Sequence, residues 1–229
     1  MNTRTYRYEL HCHTAETSKC ASAKAADVIK TYKEKGYDGV VITDHYSAHT
    51  FFGKHFFSPQ NSIDTFLKGY NEAKKYADEN FTVLLGMELR YYATINDYLV
   101  FGINEDFLKS SGNLLVKSPK SFFKLADSMG YPVIEAHPCR IFRHRADIRY
   151  IHGCEIYNGK GTKDEENAKA EKWARESNFS ICTSGSDFHS VSHTDFGGIE
   201  TDEPIKTNVD LLRILKSGNY RLIRKGRTE

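Results

Sequence analysis

Histidines stand at or just beyond the ends of several short apolar segments of this chain, and no other sequence feature restricts the fold as strongly. These segments run into ELHCHT, VVITDH, VIEAHP and TSGSDFH, which contain His11, His13, His45, His137 and His189. Asp44 and Asp187 stand beside them, and Glu88 closes the apolar segment LLGMEL. In parallel α/β proteins, reactive side chains lie at strand ends and converge on one pocket. The pattern therefore predicts a polynuclear metal site.

Short apolar segments alternate with segments of helical spacing along the chain. Strands are predicted over residues 6–10, 39–43, 81–85, 97–103, 132–136, 153–158 and 179–187. Helices are predicted over residues 21–36, 61–79, 118–129, 163–177 and 208–216. This order is typical of an α/β protein with a parallel sheet and right-handed crossovers. We expect a closed or nearly closed barrel, because an open doubly wound sheet, the alternative, would scatter the strand ends. Since 229 residues suit one such domain, we expect residues 1–229 to form a single domain.

Composition argues against several classes of partner. The net charge of +2 provides no global basic field that would attract nucleic acid or anionic lipid. The cysteines are odd in number and irregularly spaced, at Cys12, Cys20, Cys139, Cys154 and Cys182. Neither a disulfide framework nor a zinc ribbon fits that spacing, so a reducing, cytoplasmic setting is expected. No segment resembles a signal peptide or a membrane span, and no pattern selects an oligomeric state.

Two motifs place a pair of metal-binding side chains on one face of an extended backbone. His11 and His13 are two residues apart, so both can chelate one cation while Cys12 points away. Asp187 and His189 repeat this spacing after another apolar segment. A single such pair is equally compatible with a histidine that bonds a backbone carbonyl in the core. Two pairs at two strand ends favour metal binding.

The remaining candidates occur singly. We assign His45 as a metal ligand and the adjacent Asp44 as an acceptor for a histidine N–H or a proton-handling group. Glu88 ends an apolar strand and is suited to bridge two cations, since a carboxylate offsets their repulsion and a neutral imidazole does not. Pro138 biases His137 toward an extended conformation, and His137 is the expected ligand of a second ion.

In this order, the motifs resemble the PHP (polymerase and histidinol phosphatase) family of metal-dependent phosphoesterases. The resemblance implies a distorted seven-stranded, TIM-like β/α barrel that carries two or three divalent ions, Zn, Mn or Fe, at the C-terminal ends of its strands. It implies that the first ion is bound by His11, His13 and Asp187, that Glu88 bridges to the second, which His137 also binds, and that a third is bound by His45 and His189.

The chain also departs from the family pattern. Many members carry a further histidine or acidic residue shortly after the H-x-H motif, where this chain reads AETSKCAS and offers Glu16, Lys19 or Cys20. Members also often have a histidine before the strand that reads LVFGI here. Asp97 is the candidate oxygen ligand of the second ion at that place. Glu155 is expected to orient a ligand.

The ion cluster predicts the chemistry. Two adjacent cations lower the pKa of a water nucleophile and stabilise the entering and leaving oxygens of a phosphoryl transfer. Arg90, Arg140 and Arg143 lie near predicted strand ends and are candidates for binding a phosphate dianion, with surface salt bridges as the alternative. Asp44 and Arg90 are predicted catalytic residues, together with His193 as a leaving-group acid.

These observations predict a metal-dependent phosphoesterase, a phosphatase or phosphodiesterase that acts on a small phosphorylated molecule. Alternatives within that class are a histidinol-phosphate phosphatase, a protein tyrosine-phosphate phosphatase and a nucleotide or oligonucleotide exonuclease. A nuclease could stack bases on aromatic residues of the loop predicted over residues 47–60, which is a candidate lid and contains Phe51, Phe52, Phe56 and Phe57. A non-catalytic, metal-binding regulatory module is an alternative from another class.

Overall fold

A computed structural model of the protein describes residues 4–51, 59–92 and 94–228. The strands are β1 Tyr6–Cys12, β2 Gly39–Ile42, β3 His45–Tyr46, β4 Thr82–Leu89, β5 Tyr98–Phe101, β6 Val133–Glu135, β7 Gly153–Asn158, β8 Ile181–Gly185, β9 Gly198–Thr201, β10 Arg221–Arg224 and β11 Arg227–Thr228. The helices are α1 Ala25–Glu34, α2 Pro59–Lys74, α3 Glu105–Ser110, α4 Pro119–Ser128, α5 Asp164–Glu176 and α6 Asn208–Ser217.

The strands form a sheet that curls toward closure. Its order is β11-β10-β9-β1-β2-β4-β5-β6-β7-β8, and β3 pairs with β4. Beyond the end of β8, the His13 N–H donates to the Phe188 carbonyl at 2.9 Å, and the Phe188 N–H donates to the His11 carbonyl at 3.2 Å. These bonds join the last strand of the series to β1, on the side where both carry their predicted ligands. The predicted α/β, TIM-like barrel class is confirmed.

The direction of β5 departs from the predicted parallel order. β5 runs antiparallel to both β4 and β6, whereas β1, β2 and β4 are mutually parallel and so are β6, β7 and β8. The connection from Leu89 to Tyr98 is too short for a parallel crossover, which needs a dozen or more residues. The reversal brings Asp97, just before β5, to the same end of the sheet as residues that follow the parallel strands.

Several elements were not predicted from the sequence. They are β3, α3 and the C-terminal strands β9 to β11, of which β9 pairs antiparallel with β1 and extends the sheet beyond the curled part. Helix α2 begins at Pro59, within the loop predicted over residues 47–60. Residues 52–58, which include most of the candidate lid, lie outside the described residues. Among the helices that the structure describes, none combines the length and apolar character needed to cross a membrane.

A glycine brings α2 against the loop that follows β1. The Gly69 N–H donates to Thr17 Oγ1 at 2.9 Å, and a methyl group at Gly69 would overlap Thr14 Oγ1 and Asp44 Oδ2. Thr14 in turn donates to Asp44 through its N–H and its hydroxyl. The absence of a side chain at Gly69 therefore lets the helix cover Asp44, whose side chain is buried.

We expect Gly69→Ala to lower the free energy of unfolding by about 1–3 kcal/mol, the usual cost of overpacking. Because the added methyl carbon would lie 2.0 Å from Thr14 Oγ1 and 2.2 Å from Asp44 Oδ2, the cost lies toward the upper end of that range. The gain of about 1 kcal/mol that alanine brings to an unobstructed helix position offsets only part of it. Urea unfolding measures the net change in the free energy of unfolding. The control is Lys68→Ala, at the exposed neighbouring position, whose free energy of unfolding should stay within about 0.5 kcal/mol of the wild type. A Gly69→Ala variant as stable as the wild type would contradict this packing.

Candidate metal centre

Potential metal ligands from five parts of the sheet meet in one buried cluster. Their donor atoms form three groups, within each of which all atoms lie within 4.8 Å of one another. The groups are His11, His13 and Asp187, then His11, Glu88 and His137, and then His13, His45 and His189. The structure thus brings together seven of the eight predicted ligands and separates only Asp97 from these groups.

Glu88 lies between two of these groups. Its Oε1 is 3.1 Å from His137 Nε2 and 3.4 Å from His11 Nε2. Its Oε2 is 2.7 Å from His45 Nδ1 and 3.4 Å from His13 Nε2. The two oxygens of one carboxylate therefore face different histidines, as a bridging ligand requires.

Asp187 completes the group nearest β1. Its Oδ1 lies 3.6 Å from His11 Nε2 and 3.3 Å from His13 Nε2. Asp187 has a φ of +54° and His137 a φ of +33°, in the left-handed region that non-glycine residues seldom adopt. The extended conformation predicted for His137 from Pro138 is wrong. The His137 N–H instead donates to Glu155 Oε2 at 3.0 Å, which supports the turned backbone.

The donor geometry fits divalent cations. Two ligands at about 2.1 Å from a tetrahedral ion lie about 3.4 Å apart, close to the distances between these donors. His11 Nε2, His13 Nε2 and Glu88 Oε2 are buried and make no hydrogen bond to any residue that the structure describes, even though Glu88 Oε2 approaches His45 closely. Buried polar atoms are rarely left without a partner. Imidazole and carboxylate donors in this arrangement suit zinc, iron or manganese.

Burial and mutual charge set the protonation of the cluster. Burial would raise the pKa of Glu88, but His45 and His11 hold it well below its usual value. Burial likewise opposes ionisation of Asp187, and His11 and His13 hold its pKa well below the ordinary range. Burial lowers the pKa of His13, and the neighbouring histidines lower it further. Ionised carboxylates and a neutral imidazole are the forms that bind metal.

His11 behaves differently from His13. Burial alone would lower its pKa, yet the charges of Glu155, Asp187 and Glu88 raise it well above the usual value. The surrounding carboxylates thus favour positive charge at this point, whether a proton or a cation carries it.

Two buried glutamates form hydrogen bonds with predicted ligands or with the backbone beside them. Glu155 Oε1 lies 2.8 Å from His11 Nδ1, so the outer imidazole nitrogen has a carboxylate partner. Glu9 accepts the His11 N–H at 2.8 Å and the Ser186 N–H at 2.9 Å, and it also binds the Tyr32 hydroxyl at 2.8 Å. Glu9 therefore joins β1 to the segment that carries Asp187. Sequence reasoning missed Glu9, although its spacing of two from His11 was a detectable signal.

Asp44 acts on the cluster through a serine. Ser18 Oγ donates to Asp44 Oδ1 at 2.6 Å and lies 3.2 Å from His13 Nδ1. The same hydroxyl accepts the His45 N–H at 3.0 Å. Burial raises the pKa of Asp44 to about 6, against the hydrogen bonds from Ser18 and Thr14. Ser18 was not predicted, because a lone serine in a polar loop carries no signal.

The predicted arginines all bind carboxylates. Arg90 makes a bidentate pair with Asp97 through Nε at 2.5 Å and Nη2 at 2.6 Å, and Arg143 Nη2 binds Asp97 Oδ2 at 2.9 Å. Arg140 binds Asp187 Oδ2 at 2.8 Å. Asp97 Oδ2 is 3.8 Å from His137 Nε2, so its ligand role stays a prediction while its contacts favour holding two arginines.

Two further candidates lie apart from the donors. The ring of His193 packs against Phe188 and Phe196, and its Nε2 donates to the Asp195 carbonyl at 3.0 Å. Burial lowers the pKa of His193. Its role as an acid stays a prediction. Phe51 is fully buried against Tyr46, so it offers no face for a base, and Phe52, Phe56 and Phe57 lie outside the described residues.

Cys20 is the residue of the AETSKCAS segment that reaches the cluster. Its Sγ lies 3.2 Å from His189 Nε2. Burial would raise the pKa of this thiol, but its contacts with His189 and His45 lower it to about 6. Glu16 instead accepts the Ala25 N–H at the start of α1, and Lys19 is exposed.

The chain matches the model of one protein family and is similar to several solved structures. The model of the family described as PHP domain matches residues 9–196. PsfC from Pseudomonas syringae PB-5123 is similar over 91% of this chain and 88% of its own, with a TM-score of 0.67 and 13% identity. A two-domain protein from Bacteroides vulgatus, containing a predicted PHP-like metal-dependent phosphoesterase, is similar over 96% of this chain and 66% of its own, with a TM-score of 0.62 and 16% identity.

The lesion-specific endonuclease PfuEndoQ from Pyrococcus furiosus is similar over 96% of this chain and 58% of its own, with a TM-score of 0.60 and 14% identity. Because these three proteins are only 13%, 16% and 14% identical to the chain, their similarity to it shows a common fold. No curated protein matches the chain.

We expect Glu155→Gln to weaken metal binding by about 10–100-fold, because His11 loses its charged partner. Calorimetric titration of chelator-stripped protein with Zn²⁺ measures the affinity. Glu200→Gln removes a strand glutamate that pairs with Arg221 and serves as the matched control, with unchanged affinity expected. Equal affinities of the Glu155→Gln variant and the control would show that Glu155 does not support the centre.

Proposed function

The chain belongs to the PHP domain family, and on that premise we propose that it is a metal-dependent phosphoesterase that hydrolyses a phosphate ester with a metal-activated water. The observation that carries the proposal is Glu88, a fully buried carboxylate whose two oxygens face different histidines. A buried, ionised carboxylate is costly unless cations compensate it.

Two or three divalent cations, Zn, Mn or Fe, would be held by the three donor groups. His11, His13 and Asp187 are proposed to bind the first ion, and Glu88 with His137 the second. His11 lies in both groups, but its one free nitrogen binds a single ion. Cations bound there supply Lewis acidity, which lowers the pKa of a water nucleophile and offsets charge on phosphoryl oxygens. Glu155 and Glu9 hold His11 in place, and Ser18 links His13 to Asp44. Asp44 is proposed to handle protons, since its pKa is raised to about 6.

Arg143 and Arg90 are proposed to bind the substrate phosphate beside His137. Their shared partner Asp97 is buried, and it lies 3.8 Å from His137 Nε2. The two guanidinium groups outweigh this one carboxylate, which leaves net positive charge at the edge of the cluster. Arg140 is less suited to the task, because it is engaged with Asp187, Asn158 and Thr162. His193 is retained as the proposed leaving-group acid.

The proposed substrate is a small phosphorylated molecule. The five cysteines are free in the structure, which supports placing the protein in a reducing compartment such as the cytoplasm. An oligonucleotide or nucleotide is the alternative substrate class, and a non-catalytic metal-binding module is the alternative to an enzyme.

We expect chelator-stripped protein to gain phosphoesterase activity with Mn²⁺, Zn²⁺ or Fe²⁺. The substrate panel consists of phosphomonoesters including histidinol phosphate and phosphotyrosine, phosphodiesters and an oligonucleotide, assayed by phosphate or product release. His11→Ala and Asp187→Ala should lower turnover by more than about 100-fold, beyond the loss typical of residues that only support a ligand. His144→Ala, an exposed histidine, is the control. Bound metal without turnover of any panel member would favour the regulatory module.

We expect Arg143→Ala to raise the KM for a phosphomonoester by about 10–100-fold with a smaller change in kcat, because one charge-assisted contact to the phosphate is lost. Steady-state kinetics separates the two parameters. The control is Arg149→Ala, which removes an exposed arginine that pairs with Asp147. It should leave both KM and kcat unchanged. An unaltered KM in the Arg143→Ala variant would exclude Arg143 from substrate binding.

A further inference from the structure

The loop between β1 and α1 is tied to both outer histidines of the third donor group. At one end of this loop, Ser18 Oγ accepts the His45 N–H at 3.0 Å. At the other end, the N–H groups of Ser22 and Ala23 donate to the His189 carbonyl at 2.7 and 3.0 Å. Because the chain is anchored on both sides, the residues between these anchors are held beside the two imidazoles.

Cys20 lies between those anchors, and its thiol meets the free nitrogen of an imidazole. The His189 Nδ1–H donates to the Asp187 carbonyl at 2.8 Å, which leaves the Nε2 lone pair available. That Nε2 lies 3.2 Å from Cys20 Sγ. A sulfur and a nitrogen bound to one tetrahedral zinc ion lie about 3.6 Å apart, so a small adjustment would let both bind the same cation.

His13 also belongs to the third donor group. His13 is fully buried, its Nε2 makes no hydrogen bond within the described part of the chain, and its donor atom lies within 4.8 Å of those of His45 and His189. A buried nitrogen acceptor without a donor is a costly arrangement in a protein interior. Because this nitrogen binds a single cation, it is satisfied either by the ion of this group or by the ion that His11 and Asp187 bind.

We propose that Cys20 binds, together with His45 and His189, a thiophilic divalent cation at the third donor group. The inference rests on the proposed metal centre and adds a sulfur ligand to it. Thiolate ligands favour zinc or iron(II) over the harder manganese and magnesium ions. The third donor group is therefore expected to select zinc or iron(II) even where the two carboxylate-containing groups accept manganese. Because Cys20 is exposed, an added ion can reach this position.

Cobalt(II) titration of chelator-stripped, full-length protein under anaerobic conditions tests the proposal. A thiolate bound to cobalt gives a sulfur-to-metal charge-transfer band in the near ultraviolet, which histidine and carboxylate ligands do not give. We expect this band in the wild type and its loss in Cys20→Ser, together with the loss of one bound cobalt ion per chain. Cys182→Ser, which alters a cysteine packed against the core, is the matched control and should retain both.

Alkylation of the wild-type protein provides a second measurement that needs no variant. Bound Zn²⁺ should protect Cys20 from iodoacetamide by at least about 10-fold, as mass spectrometry of its peptide would show, because a coordinated thiolate is a weak nucleophile. Peptides containing Cys139 and Cys182 serve as internal controls. Mn²⁺ should protect Cys20 much less.

The outcomes separate this inference from the proposed function. Cobalt bound without a charge-transfer band, or a band that persists in Cys20→Ser, overturns the sulfur ligand and leaves the phosphoesterase proposal intact. A band in the wild type without turnover of any phosphate ester supports the sulfur ligand and contradicts the phosphoesterase. Failure of the wild type to bind any cobalt overturns both.

Discussion

The burial of ionised carboxylates at one end of the sheet is the constraint on which the rest of this structure depends. Glu88 and Asp187 have almost no exposed surface, and their charges are held by histidines. An isolated carboxylate in such a place would become protonated or destabilise the fold by several kcal/mol. The histidine rings, the arginine on Asp187 and the proposed cations are the compensation. The position of the cluster in the fold follows from the need to assemble that compensation from several strands.

Closure of the sheet makes this assembly possible. The two motifs with a spacing of two lie far apart in the sequence. They are joined by the hydrogen bond from the His13 N–H to the Phe188 carbonyl and by that from the Phe188 N–H to the His11 carbonyl. Phe188 stands between Asp187 and His189, so its backbone pairs with β1 while its two neighbours turn toward the ligands. Glu9 strengthens the same junction by binding backbone N–H groups on both sides of it. A sheet left open at this junction would separate the ligands of the first group.

Much of this arrangement could be predicted from the sequence, because alternating apolar segments locate strands and strand ends locate side chains. The seven predicted strands are present in the described residues, and seven of the eight predicted ligands lie close together. The antiparallel direction of β5 was missed, since apolar patterning does not encode direction and only the length of the preceding connection does. Supporting residues were missed for another reason. Ser18 acquires its role only through contacts with residues distant in sequence, which a local pattern does not contain.

The charges around the cluster indicate where the affinity of the proposed enzyme for phosphate would come from. Arg140 neutralises Asp187, and Arg90 and Arg143 share Asp97, so the arginines contribute little unbalanced charge beyond the second guanidinium on Asp97. Two buried carboxylates would offset only part of the charge of two divalent cations, and the excess would attract a phosphate dianion into the cluster. On this view the cations supply most of the attraction as well as the chemistry, while the arginine pair orients the phosphate at one edge. A thiolate at the opposite edge would reduce the positive charge there, which directs the phosphate toward His137 and away from the third donor group.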